Sequence, residues 1–389
     1  MLQILFKLKV IFMNLKFRGL IANIFLRFCW LFPLQDKIVF SSYDGSYFND
    51  NPAAVYKALL EKNSNLKYVW LMKDAHYTIE GASVVKVTSF RAIYELATAK
   101  CWVDNKRKQY WLRKRKGQYY VQLWHANISL KIVEKDASDK LGNYVDGAIN
   151  DSQMADVFVS GSKWQTDNYR SSFWYDGKIL ECGSPRSDVL YSDRRQKTKK
   201  VFDFYHLSNE TNVILYAPTF RNSKRTDCYD LDLKAMIHAC EEKWGGSWVA
   251  LIRLHPNIQS KMNELTFNDK ILNGSLYPDI NELILASKIV ITDYSSLIFD
   301  SMITENILMM YVKDADEYQK ERGLYWKMEE LPFLIAYNNN DAVENISRFS
   351  DIEYSEKLQK FIDDVGIIQN PHSSESVADE ILTYLNQAK

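Results

Sequence analysis

Two of the six histidines in this 389-residue chain close an apolar run, where a side chain can be presented at the edge of a sheet. The first run is Val121-Gln-Leu-Trp124-His125; an imidazole there, with a pKa near neutrality, is suited to take the proton of an attacking hydroxyl. The second is Leu251-Ile-Arg253-Leu-His255-Pro256, in which Arg253 and His255 stand two residues apart and project on one side of a strand that Pro256 ends. Arg offers a fork of donors for phosphate oxygens and His a titratable one, which together would neutralise a pyrophosphate leaving group. A third run, Ile289-Val-Ile-Thr292-Asp293-Tyr294-Ser295-Ser296, leads a buried strand into two hydroxyls and an apolar helix start, whose unpaired amides and dipole suit a phosphate. Each has a plainer reading too: a strand-end His bonding its own loop, or an Asp or Ser capping a helix.

Two further stretches place Pro, a hydroxyl and Arg just past a strand: Gly183-Ser184-Pro-Arg186-Ser-Asp188 and Tyr216-Ala-Pro-Thr219-Phe-Arg221. Both offer anion contacts, though loop structure alone would explain them. Lys106 to Lys116 holds seven basic residues in eleven positions, among them Arg107, Arg113 and Arg115, with Tyr110 and Trp111 interleaved. Such a run attracts anionic lipid or a phosphate-rich polymer; no nucleic-acid module accompanies it, so nucleic acid is not an expected partner. Asp230-Leu-Asp232 resembles a metal-binding pair but opens a helical stretch, where capping explains it better, and no metal site is expected. There is no Walker loop, no GxGxxG and no GxSxG, which counts against an ATPase, a dehydrogenase and an α/β-hydrolase.

The elements that must position these residues are short apolar runs alternating with helical segments. From Asp36 they include Lys37–Ser42, Lys67–Met72, Ala82–Val87, Lys100–Asp104, Tyr119–Trp124 and Asp156–Ser160; a second series comprises Asn212–Tyr216, Trp248–Leu254, Ser287–Thr292 and Asn306–Val312. Near-continuous apolar strands alternating with helices predict parallel sheets covered on both faces, hence two α/β domains, with substrates at the carboxyl ends of the strands. The expected division is a helical segment over 1–34, an α/β domain over 36–190, a polar basic linker over 191–211 and a second α/β domain over 212–389. Lys plus Arg balances Asp plus Glu at 49 each, so electrostatic partners must be met locally. Five scattered cysteines without CxxC spacing argue against a disulfide framework and fit a reducing cytosol. The first 34 residues are apolar, but Lys7, Lys9, Lys16, Arg18 and Arg27 break every window of the roughly 20 residues that a span needs. An interfacial helix on an anionic membrane is the expectation.

Taken in order, Trp124-His125 with Leu130-Lys131, Gly183–Asp188, Tyr216–Arg221, Arg253–Pro256 and Thr292–Ser296 resemble the CDP-glycerol:poly(glycerophosphate) glycerophosphotransferase family of teichoic-acid and capsule-type enzymes. Ser46-Tyr-Phe-Asn-Asp-Asn-Pro looks like that family's early Tyr-Ser-Asp-Asn-Pro element, so the likeness runs from about residue 38 to about 330. It implies a GT-B fold, two Rossmann-like domains facing across a cleft, with acceptor handled by the first and CDP-polyol by the second. His125 matches the family's proposed base, with His255 as a second catalytic candidate. Arg253, His255, Ser295 and Ser296 match positions associated with donor phosphates, and Asp293, Tyr294, Thr219, Arg221, Ser184 and Arg186 are grouped with them. Trp124, Lys131, Lys106, Arg107, Arg113 and Arg115 are assigned to the acceptor or membrane side.

The implied reaction moves glycerol phosphate from CDP-glycerol to a lipid-linked glycan acceptor at the cytoplasmic face of a bacterial membrane, with CMP released and no cofactor. Two stretches depart from the family pattern. Trp124–Lys131 reads Trp-His-Ala-Asn-Ile-Ser-Leu-Lys, one residue longer than Trp-His-Gly-Thr-Pro-Leu-Lys, and Arg322–Lys327 carries Lys327 where many members have Asp. The competing readings are a CDP-ribitol enzyme, a GT-B nucleotide-sugar glycosyltransferase, and a non-catalytic membrane scaffold.

Overall fold

The computed structural model describes residues 17–62, 66–142, 144–219, 230–254 and 267–387. His255, Arg221 and the segment before residue 17 lie outside them. The chain divides into two compact units: residues 1–125, 133–188 and 372–389 form the first, and 126–132 with 189–371 the second.

The first unit is built on a seven-stranded parallel sheet. Its strands are β1 (Gln35–Ser41), β2 (Lys67–Met72), β3 (Ala82–Lys86), β4 (Ala99–Asp104), β5 (Tyr119–Gln122), β6 (Val157–Ser160) and β7 (Lys178–Glu181), in the order β3-β2-β1-β4-β5-β6-β7. β4, β5 and β6 are buried almost throughout because each face is covered by its own apolar layer. Strand order reverses between β1 and β4, which leaves a crevice at their carboxyl ends.

The second unit repeats the plan with β8 (Thr211–Tyr216), β9 (Ser247–Ile252), β10 (Ile271–Asn273), β11 (Ile289–Thr292), β12 (Ile307–Tyr311) and β13 (Leu334–Ala336). All pairs are parallel, in the order β10-β9-β8-β11-β12-β13, and the reversal falls between β8 and β11. Two parallel-sheet α/β units are therefore present, as the alternation predicts.

Two expectations about the segments between and beyond the sheets need correction. The stretch 191–211 is mostly a helix, Arg194–Tyr205, started by Asp193, whose carboxylate accepts from the amides of Arg195 and Gln196. It packs on the second unit through buried Val201 and Phe202, and Arg194 donates to the carbonyls of Leu285 and Ser287. The final helix, Ser373–Gln387, belongs to the first unit. Val377, Ala378, Ile381 and Leu385 join that unit's core, Tyr384 stacks on Tyr119 at 4.2 Å, and Asp188 caps its first turn through the amides of Ser373 and Ser374.

Residues 17–29 are helical, with Leu26 and Cys29 buried while Phe17, Leu20, Ile24 and Phe28 stay at least half exposed. Among the described residues no helix is long and apolar enough to cross a membrane.

The basic stretch 106–116 serves as a bracket inside the first unit. Arg115 donates to the carbonyls of Trp30 (2.6 Å) and Phe32 (2.9 Å), and the carbonyl of Trp111 accepts from Asn23 (2.7 Å), which fastens the 17–29 helix and the turn after it. Arg113 is occupied by the carbonyls of Tyr110 and Leu112, Lys106 pairs with Asp44 at 2.6 Å, and Lys114 pairs with Asp156. Arg107 is fully internal. The run is therefore not wholly solvated: Lys106, Arg107 and Lys114 pair with acids distant in sequence, and Lys108 with Asp104.

Candidate active site

His125 sits just beyond β5, at the carboxyl edge of the first sheet and beside the reversal point. The chain reaches it through a kink. Trp124 adopts φ +50°, a left-handed conformation that a bulky residue takes only when its surroundings hold it. The side-chain oxygen of Gln122 accepts from the Trp124 amide (3.0 Å), and the side-chain Nδ2 of Asn51 donates to the Trp124 carbonyl (3.0 Å). The indole is 4.4 Å from the imidazole, rests against Phe173 at 4.8 Å and lies over the Arg107 guanidinium at 5.5 Å.

One nitrogen of His125 is already committed. Nδ1 lies 2.8 Å from the carbonyl oxygen of Asn105, which can only accept, so Nδ1 carries the proton and the lone pair falls on Nε2. Burial pushes the imidazole pKa below its ordinary value, against the opposing effects of the Asn105 bond and the Asp50 charge; Arg186 and Lys106 push it further down. A neutral ring with a free Nε2 is the form a general base needs.

Around it lie residues that the sequence had offered for other roles, or not at all. Arg186 Nη1 donates to the carbonyl of His125 (2.7 Å) and to Asp50 (2.8 Å), while its amide and the Ser184 hydroxyl donate to the side-chain oxygen of Asn51 (2.9 and 3.3 Å). Ser184 and Arg186, grouped with the donor phosphates in the sequence reading, belong to the first unit and clasp the His125 turn. Asp50 and Asn51 lie in the Ser46–Pro52 stretch, to which the sequence reading gave no site role, and Tyr43 and Asn105 were not singled out.

In the second unit the residues past β8, β9 and β11 gather at the carboxyl edge, again at the strand reversal. Asp293, nearly buried, accepts from the amide of Thr219 (2.9 Å), and the Thr292 hydroxyl donates to the carbonyl of Ala217 (2.6 Å), so the β8 and β11 exits are tied together. Ser295 and Ser296 are partly exposed. The Ser295 oxygen accepts from the Leu297 amide at 3.3 Å, and the helix that follows spans only Leu297–Asp300. The expected apolar helix is thus a single turn, with little dipole of its own.

Tyr294 is fully buried: its ring stacks on Tyr318 at 3.7 Å and its hydroxyl donates to Asp314 (2.9 Å). Arg253 directs its guanidinium to the carbonyls of Gly274, Tyr277 and Pro278, so it closes the 274–278 turn.

Lys131 belongs to the second unit, while Trp124 belongs to the first. It bridges Leu324 in antiparallel register and lies 5.7 Å from the Tyr318 ring, while the Tyr325 amide donates to the carbonyl of Leu130 (2.9 Å). The two stretches that depart from the family pattern, 124–131 and 322–327, are therefore hydrogen-bonded neighbours. Among the described residues no group of three or more His, Cys, Asp or Glu could hold a metal ion.

Comparison with known proteins places this geometry. Residues 24–383 match the model of the CDP-glycerol:poly(glycerophosphate) glycerophosphotransferase family. The chain belongs to that family. It is 31% identical over 368 residues to a teichoic acid glycerol-phosphate transferase of Staphylococcus aureus, covering 90% of this chain and 93% of the relative. A teichoic acid poly(glycerol phosphate) polymerase of Staphylococcus epidermidis is 29% identical over 377 residues; this chain spans about half of that protein, 52% of its length. The solved wall teichoic acid polymerase TagF, in one variant, superposes with a TM-score of 0.80 at 28% identity, covering 91% of this chain and 90% of that one.

Proposed function

We propose that this glycerophosphotransferase moves glycerol phosphate from CDP-glycerol to a hydroxyl of a lipid-linked teichoic acid or capsule precursor. The observation that carries the reading is His125, whose Nδ1–H is held by the Asn105 carbonyl and whose lone pair is left on Nε2, in a chain whose family match runs through that turn. Nε2 takes the acceptor hydroxyl's proton as its oxygen attacks the β-phosphorus of the donor. The bond from that phosphorus to the bridging oxygen breaks, and CMP leaves carrying the electron pair.

The reading takes the acceptor from residues of the first unit and the donor phosphates from residues of the second, as the GT-B expectation requires. In the second unit Ser295 and Ser296 are partly exposed past β11 and Thr219 follows β8, while His255 and Arg221 lie outside the described residues. The test is CMP release by the purified chain with a lipid-linked acceptor and CDP-glycerol, CDP-ribitol or a UDP-sugar in parallel. CMP from CDP-glycerol is the expected result; turnover of the UDP-sugar alone would replace the reading with a glycosyltransferase.

The acid limb of kcat/KM follows from the state of His125. The base acts when deprotonated, so activity falls as pH drops through its pKa, and burial has moved that pKa below the ordinary 6.5. The limb is expected below about 6.5 in a pH profile taken with saturating acceptor.

The same proposal seats the enzyme on the cytoplasmic face of a bacterial membrane. Phe17, Leu20, Ile24, Phe28, Leu31 and Phe32 remain exposed in and just after the 17–29 helix, with Arg18 and Arg27 also at the surface. An apolar face with cationic flanks suits an anionic interface. Replacing Phe17, Leu20, Ile24 and Phe28 together with Ser is expected to lower sedimentation with anionic vesicles at least about 10²-fold, since each apolar side chain contributes roughly 1.5–3 kcal/mol on burial. Unchanged sedimentation would remove this helix as the anchor.

A further inference from the structure

Asp50 opens the helix Asp50–Glu61 with φ +62°, a backbone state that a non-glycine residue holds only when its surroundings compensate. Its carboxylate accepts four hydrogen bonds: from the Tyr43 hydroxyl (2.8 Å), the side-chain amide of Asn105 (3.2 Å), the Asn51 amide (2.7 Å) and Arg186 Nη1 (2.8 Å). Three of those partners are the groups that fix His125. The Asn105 carbonyl holds Nδ1, Arg186 grips the His125 carbonyl, and the Tyr43 ring packs edge-on to the imidazole at 5.6 Å. They come from the ends of β4, β7 and β1, three separate points of the sheet.

We infer that Asp50 is a positioning residue for His125: one carboxylate joins the three groups that set the imidazole's orientation, and its negative charge supports the imidazolium formed when Nε2 takes the acceptor proton. The inference rests on His125 acting as the base. A carboxylate that only stabilised the fold could bond any one of these partners; bonding all three places it behind the ring in the role of an orienting acid.

The charged and titratable groups facing His125 are Asp50, Arg186, Lys106, which pairs with Asp44, and Tyr43. Burial and Arg186 both pull the Asp50 carboxyl, in opposite directions, and with the hydrogen bonds added the net effect holds it below the usual carboxylate range, so it is ionised at neutral pH.

The experiment is Asp50→Asn in the full chain, which keeps shape and removes charge. Expected are a fall in kcat of about 10- to 10²-fold, a KM for CDP-glycerol within about twofold, and a fall of about one unit in the His125 pKa followed by NMR titration of its ring in the free protein. Arg186→Met removes the opposing charge and is expected to move the same pKa upward, which supplies the answer if Asp50→Asn does not fold. A His125 pKa unmoved by either substitution overturns the inference. Because the titration needs no turnover, it stays informative even if His125→Ala proves active and the base assignment fails.

Discussion

His125→Ala is expected to lower CMP release from CDP-glycerol by about 10²- to 10⁴-fold, the range for loss of a positioned general base. Donor affinity should change little, because the residues proposed to hold the phosphates lie past β8 and β11 in the other unit. Single-turnover kinetics separate the two: the rate constant falls while its half-saturation by CDP-glycerol stays within a few-fold. The structure also indicates which substitution mimics the loss most closely. His125→Gln can keep one bond to the Asn105 carbonyl but offers no basic nitrogen, so it should be as inactive as Ala. If Gln restored activity, the ring's contribution would be its hydrogen bond and not its basicity.

Arg107→Met is expected to cost the first unit about 3–5 kcal/mol, the usual result of leaving buried carboxylates without their counter-charge. Arg107 is nearly buried and holds Glu134 through Nε and Nη2 (3.2 and 2.8 Å), with Asp151 (3.1 Å) and Ser152 (2.7 Å) on Nη1. Its guanidinium is walled by the rings of Trp124, Phe158 and Phe173. Both carboxylates are almost wholly buried, so neither can exchange the lost partner for water. Thermal unfolding should fall by roughly 6–20 °C. Adding Glu134→Gln and Asp151→Asn to Arg107→Met should recover part of that loss, since the orphaned charges go too. A variant with unchanged melting and weaker binding of an anionic polymer would instead return Arg107 to the role of a surface contact.

Much of the fold was legible because parallel strands covered on both faces are written as unbroken apolar runs, and these named most members of both sheets. The short edge strands β7, β10 and β13 escaped, since only three or four residues mark each and apolar continuity is weak there. The helix Arg194–Tyr205 was read as linker because its sequence is crowded with Lys and Arg; only Val201 and Phe202 face inward. The last helix carries an apolar stripe that would fit either sheet, and periodicity says nothing about which one receives it.

The site was legible in unequal parts. His125 could be found because a strand-end histidine is visible in the sequence, and Asp293 because it follows an apolar strand. Asp50 could not, since its partners Asn105 and Arg186 lie 55 and 136 residues away and only the sheet brings them together. The basic stretch misled for the same reason. Glu134 and Asp151, which hold Arg107, stand 27 and 44 positions further on, so the run reads as solvated charge until the chain is folded. The two departures from the family pattern looked independent and are one packed pair, so a change in one stretch bears directly on the other.

The measurement that tests the central claim most directly follows which bond of the donor breaks. With CDP-glycerol labelled with ³²P at the β-phosphorus, the purified chain and a lipid-linked acceptor, the account predicts label in the acceptor as a phosphodiester and unlabelled CMP released in equal amount. Label that stays with the nucleotide as CDP, while unphosphorylated glycerol appears on the acceptor or in solution, would contradict it.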